Sequence, residues 1–288
     1  MDQVHVGVIG GSGLYTIEGL ADIEAVWPDT PYGKPSDEIV VGKLEGVRVA
    51  FLPRHGRGHV LSPSELPARA NIWALKTLGV SHIVSISAVG SLREELAPRH
   101  IVIPDQIIDR TKGIRPASFF GEGIVAHIGF AEPFCPVLSE LVFQAGREAE
   151  AMVHLGGTMV VMEGPQFSTK AESNLYRQIG GDLIGMTALP EAKLAREAEL
   201  CYSTVAMVTD YDCWHETEES VTADMVVANM QANVEAAKRI IRGVVKRVAA
   251  AERNCGCGSA LAGALMTARE KMPPQRVEML RPLIGRYL

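Results

Sequence analysis

Hydrophobic and polar positions along the chain repeat with two periods, which predict strands and helices in alternation. Short apolar or alternating runs predict strands at 4–9, 39–44, 47–52, 82–87, 101–108, 158–162, 182–186 and 202–208, of which 39–44 and 47–52 form a hairpin. The run at 202–208 is apolar on both faces, as expected of a strand inside a parallel sheet, and 82–87 is another buried strand. Amphipathic stretches predict helices, at 65–78, 136–151, 222–251 and from residues 169 and 190 onward. This order predicts an α/β protein with a mixed, twisted central sheet and helices on both of its faces.

Nothing in the sequence divides the chain into parts. It contains no internal repeat and no low-complexity linker, and 47% of its 288 residues are hydrophobic. A chain of this length and composition can bury one large core. We therefore expect a single domain over 1–288, with a helical tail over about 258–288.

Charge and hydropathy narrow the class of ligand. The formal net charge is -6 and the basic residues are scattered singly, so we expect no nucleic acid partner. No apolar run approaches the roughly 18 residues that a membrane span requires, and the first residues lack a basic leader. The sequence predicts a cytoplasmic protein that binds a small molecule.

The five cysteines are few and irregularly spaced. This spacing predicts neither a disulfide scaffold nor a four-ligand zinc site, and we expect mostly buried thiols and no metal. His55 and His59 have the spacing of helical zinc ligands, but the glycines between them argue against a helix. Cys255 and Cys257 lie in a Gly-rich loop, and three interpretations stay open. They form a redox-active pair, one of them pairs with another cysteine, or their proximity in the sequence has no function.

Three predicted strands end in turns that suit an anion. Gly10 to Gly13 follow the first strand, where glycines expose backbone N–H groups beside the Ser12 hydroxyl. Thr16 stands where a dinucleotide fingerprint needs a small residue, which argues against NAD. The strand at 47–52 leads to a turn with two arginines and two histidines, where Arg54 can hold a phosphate bidentately. A turn of small residues at 87–91 follows the fourth strand.

Other strand ends carry groups that suit a planar heterocycle. The buried strand at 202–208 leads to Asp210, Tyr211 and Asp212, at the edge where α/β sheets bind ligands. Two Asp one residue apart in extended chain point to opposite sides, so the following bend decides whether both reach one ligand. Phe167 lies at a strand-to-helix elbow and could stack on a ring. The aromatic loop at 109–135 suggests a lid or a subunit contact.

Eight motifs in order resemble those of the trimeric nucleoside phosphorylases. They are GGSGL at 10–14, RHGRGH at 54–59, ANIWALK at 70–76, SAVGSLREEL at 87–96, EPFCP at 132–136, EGPQFS at 163–168, MT at 186–187 and TDYDCW at 209–214. The resemblance implies that family's single-domain fold and phosphate-dependent cleavage of a purine nucleoside. It also implies a homotrimer or a dimer of trimers, and no cofactor, since inorganic phosphate is a co-substrate.

The resemblance assigns roles to individual residues. Phosphate-binding groups are expected at Ser12, Arg54, His55, Ser87, Ala88 and Thr187. Met186 is expected under the ribose, Phe167 beside the base, and Asp210, Tyr211 and Asp212 at the purine edge. Ser168 and Ala223 match positions that tune substrate choice, and His127 matches a residue that reaches over the 5' substituent from a neighbouring subunit. The Cys255 to Cys257 segment is similar to one in disulfide-bearing thermophilic members, and its pairing stays open.

The chemistry agrees with these roles. The purine leaves readily only when it is protonated, and a buried carboxylic acid beside a second carboxylate has the raised pKa that this requires. We assign N7 protonation to Asp210 and the amino contact to Asp212, although which of the two donates stays open. Carboxylates accept hydrogen bonds from a 6-amino group, and Val221, Ala223, Val226 and His127 favour a 5'-thiomethyl group.

Three alternatives differ in activity. The nearest is a phosphorylase of 6-oxopurine nucleosides or of methylthioinosine. A nucleotide-binding regulator would bind ligand without turnover, and a nicotinamide dehydrogenase is already disfavoured by the first turn.

Overall fold

The structure is a computed structural model that describes residues 4–11, 14, 17–215 and 223–288, without the side chains at 223–228 and 230–232. Within these residues one mixed sheet contains the strands β1 Val6–Gly10, β2 Ala21–Val26, β3 Ile39–Leu44, β4 Val47–Pro53, β5 His82–Ser91, β6 Ile101–Ile103, β7 Gln106–Arg110, β8 Val153–Leu155, β9 Thr158–Met162, β10 Leu183–Gly185 and β11 Cys201–Asp210. The helices are α1 Ala68–Thr77, α2 Pro136–Glu148, α3 Lys170–Gln178, α4 Ala188–Glu197, α5 Ala223–Ala250 and α6 Pro274–Ile284.

Strand β5 is the centre of the sheet, and it changes partner halfway along. On one side it pairs in parallel with β1 up to Ser85, and then antiparallel with β10 at Gly90 and Ser91. On the other side β11 runs parallel to it over nearly its whole length. Because β1 and β10 diverge, residues 86–89 have no strand partner on that side within the described chain. A gap therefore opens beside the second half of β5.

The two faces of the sheet have separate hydrophobic cores, because strand side chains alternate between them. In β4, Ala50 and Leu52 belong to one core, whereas Val49 and Phe51 belong to the other. Helices α1, α4 and α6 pack in the first core, and α2 and α5 pack in the second. The prediction of an α/β sheet with helices on both faces is confirmed.

Prolines account for two differences from the predicted elements. The strand predicted at 101–108 is two strands in different parts of the sheet, because Pro104 cannot donate to the ladder between them. The helix predicted from residue 65 begins three residues later, with Pro67 at its N-cap. The short edge strands β2 and β8 were not predicted, since exposed strands lack a buried apolar run. The predictions for β5 and β11 were too short by several residues.

Several predicted helix ends can be compared with the structure. The helix predicted from residue 169 begins with a capping box: the Thr169 hydroxyl accepts from the Glu172 backbone N–H, and the Glu172 carboxylate accepts from the Thr169 backbone N–H. The start of the helix predicted at 222–251 lies outside the described residues, and α5 is described from Ala223 onward. In the tail, predicted to be helical over about 258–288, Gly256–Ser259 and Arg269–Lys271 are 3-10 turns, and the α-helix α6 begins at Pro274. None of the described helices is long and apolar enough to span a membrane.

Candidate active site

A cavity of about 320 Å³ lies at the carboxyl ends of β5, β9, β10 and β11, where the partners of β5 diverge. This is the edge at which α/β sheets bind ligands. Its wall contains most of the predicted site residues, namely Arg54, His55, Ser87, Ala88, Phe167, Ser168, Met186, Thr187, Asp210 and Asp212. The fold therefore brings together side chains that are separated by more than 150 positions in the sequence.

Arg54 is fully buried, and an ion pair fixes its guanidinium. Its Nε lies 2.6 Å from Glu191 Oε1, and its Nη2 lies 3.1 Å from Oε2 and 2.6 Å from Ser85 Oγ. Nη1 donates to the carbonyl of Ile86 over 2.9 Å. Of the five N–H groups of an arginine, one remains for the cavity. The prediction that Arg54 holds phosphate bidentately is wrong, because Glu191 occupies the bidentate edge.

Two hydroxyls lie next to this guanidinium. Ser87 Oγ and Thr187 Oγ1 are 3.1 Å apart, and both residues line the cavity. Thr187 is the N-cap of α4, but its side chain makes no capping hydrogen bond. Both hydroxyls can therefore turn toward a ligand oxygen. Ala88 and Gly11 add backbone to the same wall, and Ser12 lies outside the described residues.

His55 and His59 stack with their ring centroids 4.2 Å apart. His55 Nδ1 lies 2.8 Å from the carbonyl of Leu61, so it carries the hydrogen and Nε2 is an acceptor. Burial lowers the pKa of His55 to about 4, which keeps the ring neutral near pH 7. Arg57 is ion-paired with Glu38 outside the cavity. The end of the cavity next to Arg54 is therefore less positively charged than the two arginines and two histidines of the sequence suggested. Among the described residues that line the cavity, Arg54 contributes the one buried guanidinium.

The two aspartates lie on the same wall because of the backbone at Asp212. Its φ of +52° is left-handed, a conformation that Asp tolerates, and it turns the chain back after β11. Asp210 Oδ1 accepts from the Asp212 N–H over 2.8 Å, and both side chains line the cavity. The bend thus brings together two carboxyls that extended chain would separate.

Burial raises the pKa of both aspartates. Asp210 is 6% exposed, and hydrogen bonds from Thr209 and the Asp212 backbone only partly offset its loss of hydration. Burial also raises the pKa of Asp212, while the Ser173 and Ser168 hydroxyls oppose the rise. Gly90 makes room for the pair: a Cβ there would lie 2.9 Å from Asp210 Oδ1 and 3.4 Å from Asp212 Cβ.

Tyr211, expected at the purine edge, does not line the cavity. Its hydroxyl donates to the carbonyl of Glu94 over 3.1 Å, and its ring stacks on His215 with centroids 4.6 Å apart. Tyr211 lies between two residues that face the cavity, so its side chain is directed to the opposite side of the chain. The Tyr211 side chain therefore stabilises the bend after β11 and does not contact a ligand in the cavity.

The remaining wall is apolar. Phe167 lines the cavity and is 47% exposed, so its ring is available to a planar ligand at the mouth. Met162, Ile184 and Met186 complete this surface. Ser168 lines the cavity beside them, and its carbonyl accepts from the thiol of Cys213 over 3.2 Å.

Two expected specificity residues are not in this wall. His127 is exposed on the chain surface and outside the cavity lining. The side chain of Ala223 lies outside what the structure describes, although its backbone begins α5.

Sequence reasoning missed the buried pair of Arg115 and Glu163. Arg115 Nε lies 2.7 Å from Glu163 Oε1, and Nη1 donates to the carbonyls of Met186 and Leu189. This network fixes the loops that carry Phe167 and Met186. Glu163 lies in a recognised motif, but a single arginine inside a long loop gives no pattern from which the pair could be predicted.

Known proteins resemble this chain over nearly its whole length. The model of the phosphorylase superfamily matches residues 5–246. The chain is 57% identical to the S-methyl-5'-thioadenosine phosphorylase of Geobacter sulfurreducens over 288 residues, which cover all of both chains. It is also 57% identical to the protein of the same name from Chloroflexus aurantiacus, with 100% of this chain and 99% of that protein covered.

Solved structures share the fold. A methylthioadenosine phosphorylase from an antarctic soil metagenomic library superposes with a TM-score of 0.94 at 49% identity, covering 98% of this chain and 99% of the other. The methylthioadenosine phosphorylase of Schistosoma mansoni in complex with adenine has a TM-score of 0.83 at 37% identity, covering 93% and 100%. The residues matched by the superfamily model include the strands that form the cavity.

Proposed function

The chain belongs to the phosphorylase superfamily, and on this premise we propose that it cleaves S-methyl-5'-thioadenosine with inorganic phosphate, giving adenine and 5-methylthioribose 1-phosphate. The reaction transfers a pentosyl group from a purine to phosphate, so the chain is a pentosyltransferase that acts in methylthioadenosine salvage. Full-length relatives at 49–57% identity carry the name of this activity.

One observation carries the proposal: a single cavity holds oxyanion-binding groups and a pair of buried acids. Arg54, Ser87 and Thr187 provide the former, and Asp210 and Asp212 provide the latter. Phosphorolysis needs both, because phosphate attacks the anomeric carbon while the purine departs from the opposite side. Holding the two reactants across one sugar supplies proximity and electrostatic stabilisation, each on the order of several kcal/mol.

At the phosphate end, the groups complement an anion that still carries a proton. One N–H of Arg54 and the hydroxyls of Ser87 and Thr187 donate to phosphate oxygens. Neutral His55 accepts at Nε2, which suits the O–H of hydrogen phosphate or of the ribose. The buried charge of Arg54 is already balanced by Glu191, so the site binds phosphate through several hydrogen bonds instead of through one free cation.

At the purine end, Asp210 is the proposed proton donor to N7. Thr209 Oγ1 lies 2.6 Å from Asp210 Oδ2 and 3.2 Å from the carbonyl of Val89. The hydroxyl has one hydrogen for two acceptors. If Asp210 is protonated, it donates to Thr209, and Thr209 then donates to Val89, so that every contact is satisfied. This geometry, together with the raised pKa of Asp210, favours the protonated carboxyl that a general acid requires; in the reaction this hydrogen turns from Thr209 to N7 of the purine.

The second carboxyl sets the preference for adenine. Asp212 lines the cavity, and a carboxylate at this position can accept a hydrogen bond from the 6-amino group. A 6-oxo group would place an acceptor against this acceptor, at a cost of about 1–3 kcal/mol per unsatisfied contact. The site therefore favours 6-aminopurines over 6-oxopurines.

The 5' end of the substrate is where a second subunit would contribute. His127 is exposed and lies outside the cavity of its own chain, which suits a side chain that completes the site of a neighbour. Val125 and Met266, linked to each other by a backbone hydrogen bond, are 45% and 54% exposed nearby. We place a homotrimer contact at this surface, and a thiomethyl group beneath it. We also assign the protein to the cytoplasm.

The direct test is to incubate the pure protein with methylthioadenosine, with and without phosphate, and to separate the products by chromatography. Adenine and a phosphorylated thiosugar should form only when phosphate is present. Methylthioinosine serves as the matched substrate, since it differs at the 6 position alone. Hypoxanthine release at an equal rate would indicate the 6-oxopurine alternative, and ligand binding without turnover would indicate a regulator.

A further inference from the structure

Four of the five cysteines converge in the fold, although their spacing in the sequence suggested scattered thiols. The Sγ atoms of Cys135, Cys201, Cys255 and Cys257 all lie within 4.8 Å of one another. Three of the four residues are buried, and Cys255 is half-buried. The sequence expectation that no four-ligand set exists is therefore wrong, because the argument from spacing ignored residues that come from separate elements.

The cluster joins three parts of the chain. Cys135 is the N-cap of α2, and Cys201 is the first residue of β11. Cys255 and Cys257 belong to the turn that follows α5. Asp210 is the last residue of β11, so the cluster is about 30 Å from the acid pair at 3.3 Å per strand residue. This separation makes the cluster independent of the proposed reaction.

The geometry fits a tetrahedral metal. Zinc bound by four thiolates has Zn–S distances of about 2.3 Å, which puts the sulfurs about 3.8 Å apart. The observed limit of 4.8 Å requires only small side-chain rotations to reach this arrangement. Two sulfurs, those of Cys201 and Cys255, are 3.3 Å apart, slightly closer than the metal would hold them. All four ligands come from the protein, as in structural zinc sites, which leave no open position.

The surroundings also suit a thiolate cluster. The backbone N–H of Leu138 donates to Cys135 Sγ over 3.4 Å, from the first turn of α2, where the helix dipole favours negative charge. Arg253 Nε donates to Cys201 Sγ over 3.3 Å. Four thiolates around a divalent cation carry a net charge of about two negative units, and such N–H donors to sulfur stabilise it.

We propose that Cys135, Cys201, Cys255 and Cys257 bind one Zn²⁺ ion in a closed structural site that fastens the C-terminal segment to the sheet. Binding releases the thiol protons and leaves every sulfur reduced. The segment after the cluster ends in α6, which packs in one of the two cores through Leu280, Leu283 and Ile284. A metal bound at the start of this segment restricts its conformations, so that fewer residues remain free between the anchored cysteines and the packed helix α6.

The test begins with the wild-type protein, purified without chelator or added metal. We expect about one zinc per chain by elemental analysis. Four cysteines should resist alkylation in the native protein and react after denaturation with a chelator. The proposal would be overturned if the protein contained two disulfides and no zinc. The intact mass would then be lower than that of the reduced chain, and these four cysteines would not react with the alkylating agent even after denaturation. The proposal would equally fail if free thiols bound no zinc after incubation with the metal.

Single substitutions then identify the ligands. Cys257→Ser should lose most of the zinc and unfold at a lower temperature, whereas Cys213→Ser, the fifth cysteine, should keep its zinc. Cys255→Ser, at a half-buried position, replaces Cys257→Ser if that variant does not fold. Cobalt loaded into the wild type should show thiolate charge-transfer and tetrahedral absorption bands, which the ligand variants should lose. Metal content is measured without substrate, so this result does not depend on the proposed reaction.

Discussion

Arg54 and Glu191 form a buried bidentate pair, with Nε 2.6 Å from Oε1 and Nη2 3.1 Å from Oε2. Both side chains are 3% exposed. Tyr202 donates its hydroxyl to the same carboxylate over 3.0 Å. The carboxylate therefore orients the guanidinium, and one N–H is left for phosphate. Glu191 acts on the ligand only through Arg54, which makes it a positioning residue.

Replacing this carboxylate should weaken both folding and phosphate binding. Glu191→Gln leaves the buried charge of Arg54 uncompensated, so we expect the free energy of unfolding to fall by about 3 kcal/mol. The KM for phosphate should rise more than the KM for the nucleoside, since the guanidinium can reorient. Denaturant titration and steady-state kinetics at varied phosphate measure the two effects.

Glu197→Gln is the matched control for this variant. Glu197 lies in the same helix and is also buried, but its carboxylate accepts from Ser118 and the Phe119 backbone and lies outside the cavity. It should lose some stability and keep the KM for phosphate. An unchanged phosphate KM in Glu191→Gln would contradict the positioning role.

The acid pair gives the second prediction. Asp210→Asn keeps the shape of the side chain and removes its acid, so kcat for methylthioadenosine should fall by about two to four orders of magnitude. The amide can donate to a 6-oxo group, and activity on methylthioinosine should therefore rise relative to the parent. Rates on the two nucleosides, measured side by side, give the ratio.

Tyr211→Phe is the neighbouring control for Asp210→Asn. The Tyr211 hydroxyl contacts the Glu94 carbonyl outside the cavity, so its loss should leave the preference between the two nucleosides unchanged. The assignment of Asp210 is rejected if Asp210→Asn retains the wild-type preference.

The sequence predicted the part of the site that depends on strand ends. Arg54 and Asp210 lie at or just beyond the end of a buried strand, and Ser87 lies in the second half of β5; such strands have a distinct apolar pattern. The ends of parallel strands meet at one edge, so their convergence could be expected. The orientation of Asp212 could not, because it depends on a left-handed residue after the strand.

Contacts between distant residues were the least predictable. Arg115 and Glu163 are 48 positions apart, and neither belongs to a periodic pattern that would pair them. The four cysteines likewise come from a strand start, a helix cap and a C-terminal turn. Their convergence depends on the packing of α2 and α5 against β11, which local sequence does not encode.

The neutral state of His55 predicts how stability changes with pH. Burial lowers its pKa to about 4, whereas an unfolded histidine titrates near pH 6.5. Between these values the unfolded chain binds the proton and the folded chain does not, so stability is lost as the pH falls through this window. His55→Gln should reduce the loss between about pH 7 and about pH 5, measured by denaturant unfolding at each pH.

His82 serves as the comparison for His55, because burial also lowers its pKa to about 4 at a position outside the cavity. His82→Gln should reduce the same loss of stability without changing the KM for phosphate. His55→Gln should change both. Identical pH dependence in wild type and His55→Gln would show that this ring titrates normally.

Gly90 tests whether the position of the acid pair matters. A Cβ at this residue would lie 2.9 Å from Asp210 Oδ1 and 3.0 Å from Ile184 Cγ2, both closer than ordinary contact. Gly90→Ala should therefore displace the carboxyl, lowering kcat/KM for methylthioadenosine with an overpacking cost of about 1–3 kcal/mol in stability. Gly129→Ala is the control, since a Cβ added there would meet no atom of the described residues within 4 Å. If kcat/KM of Gly90→Ala equals that of the control, catalysis does not depend on the present position of Asp210.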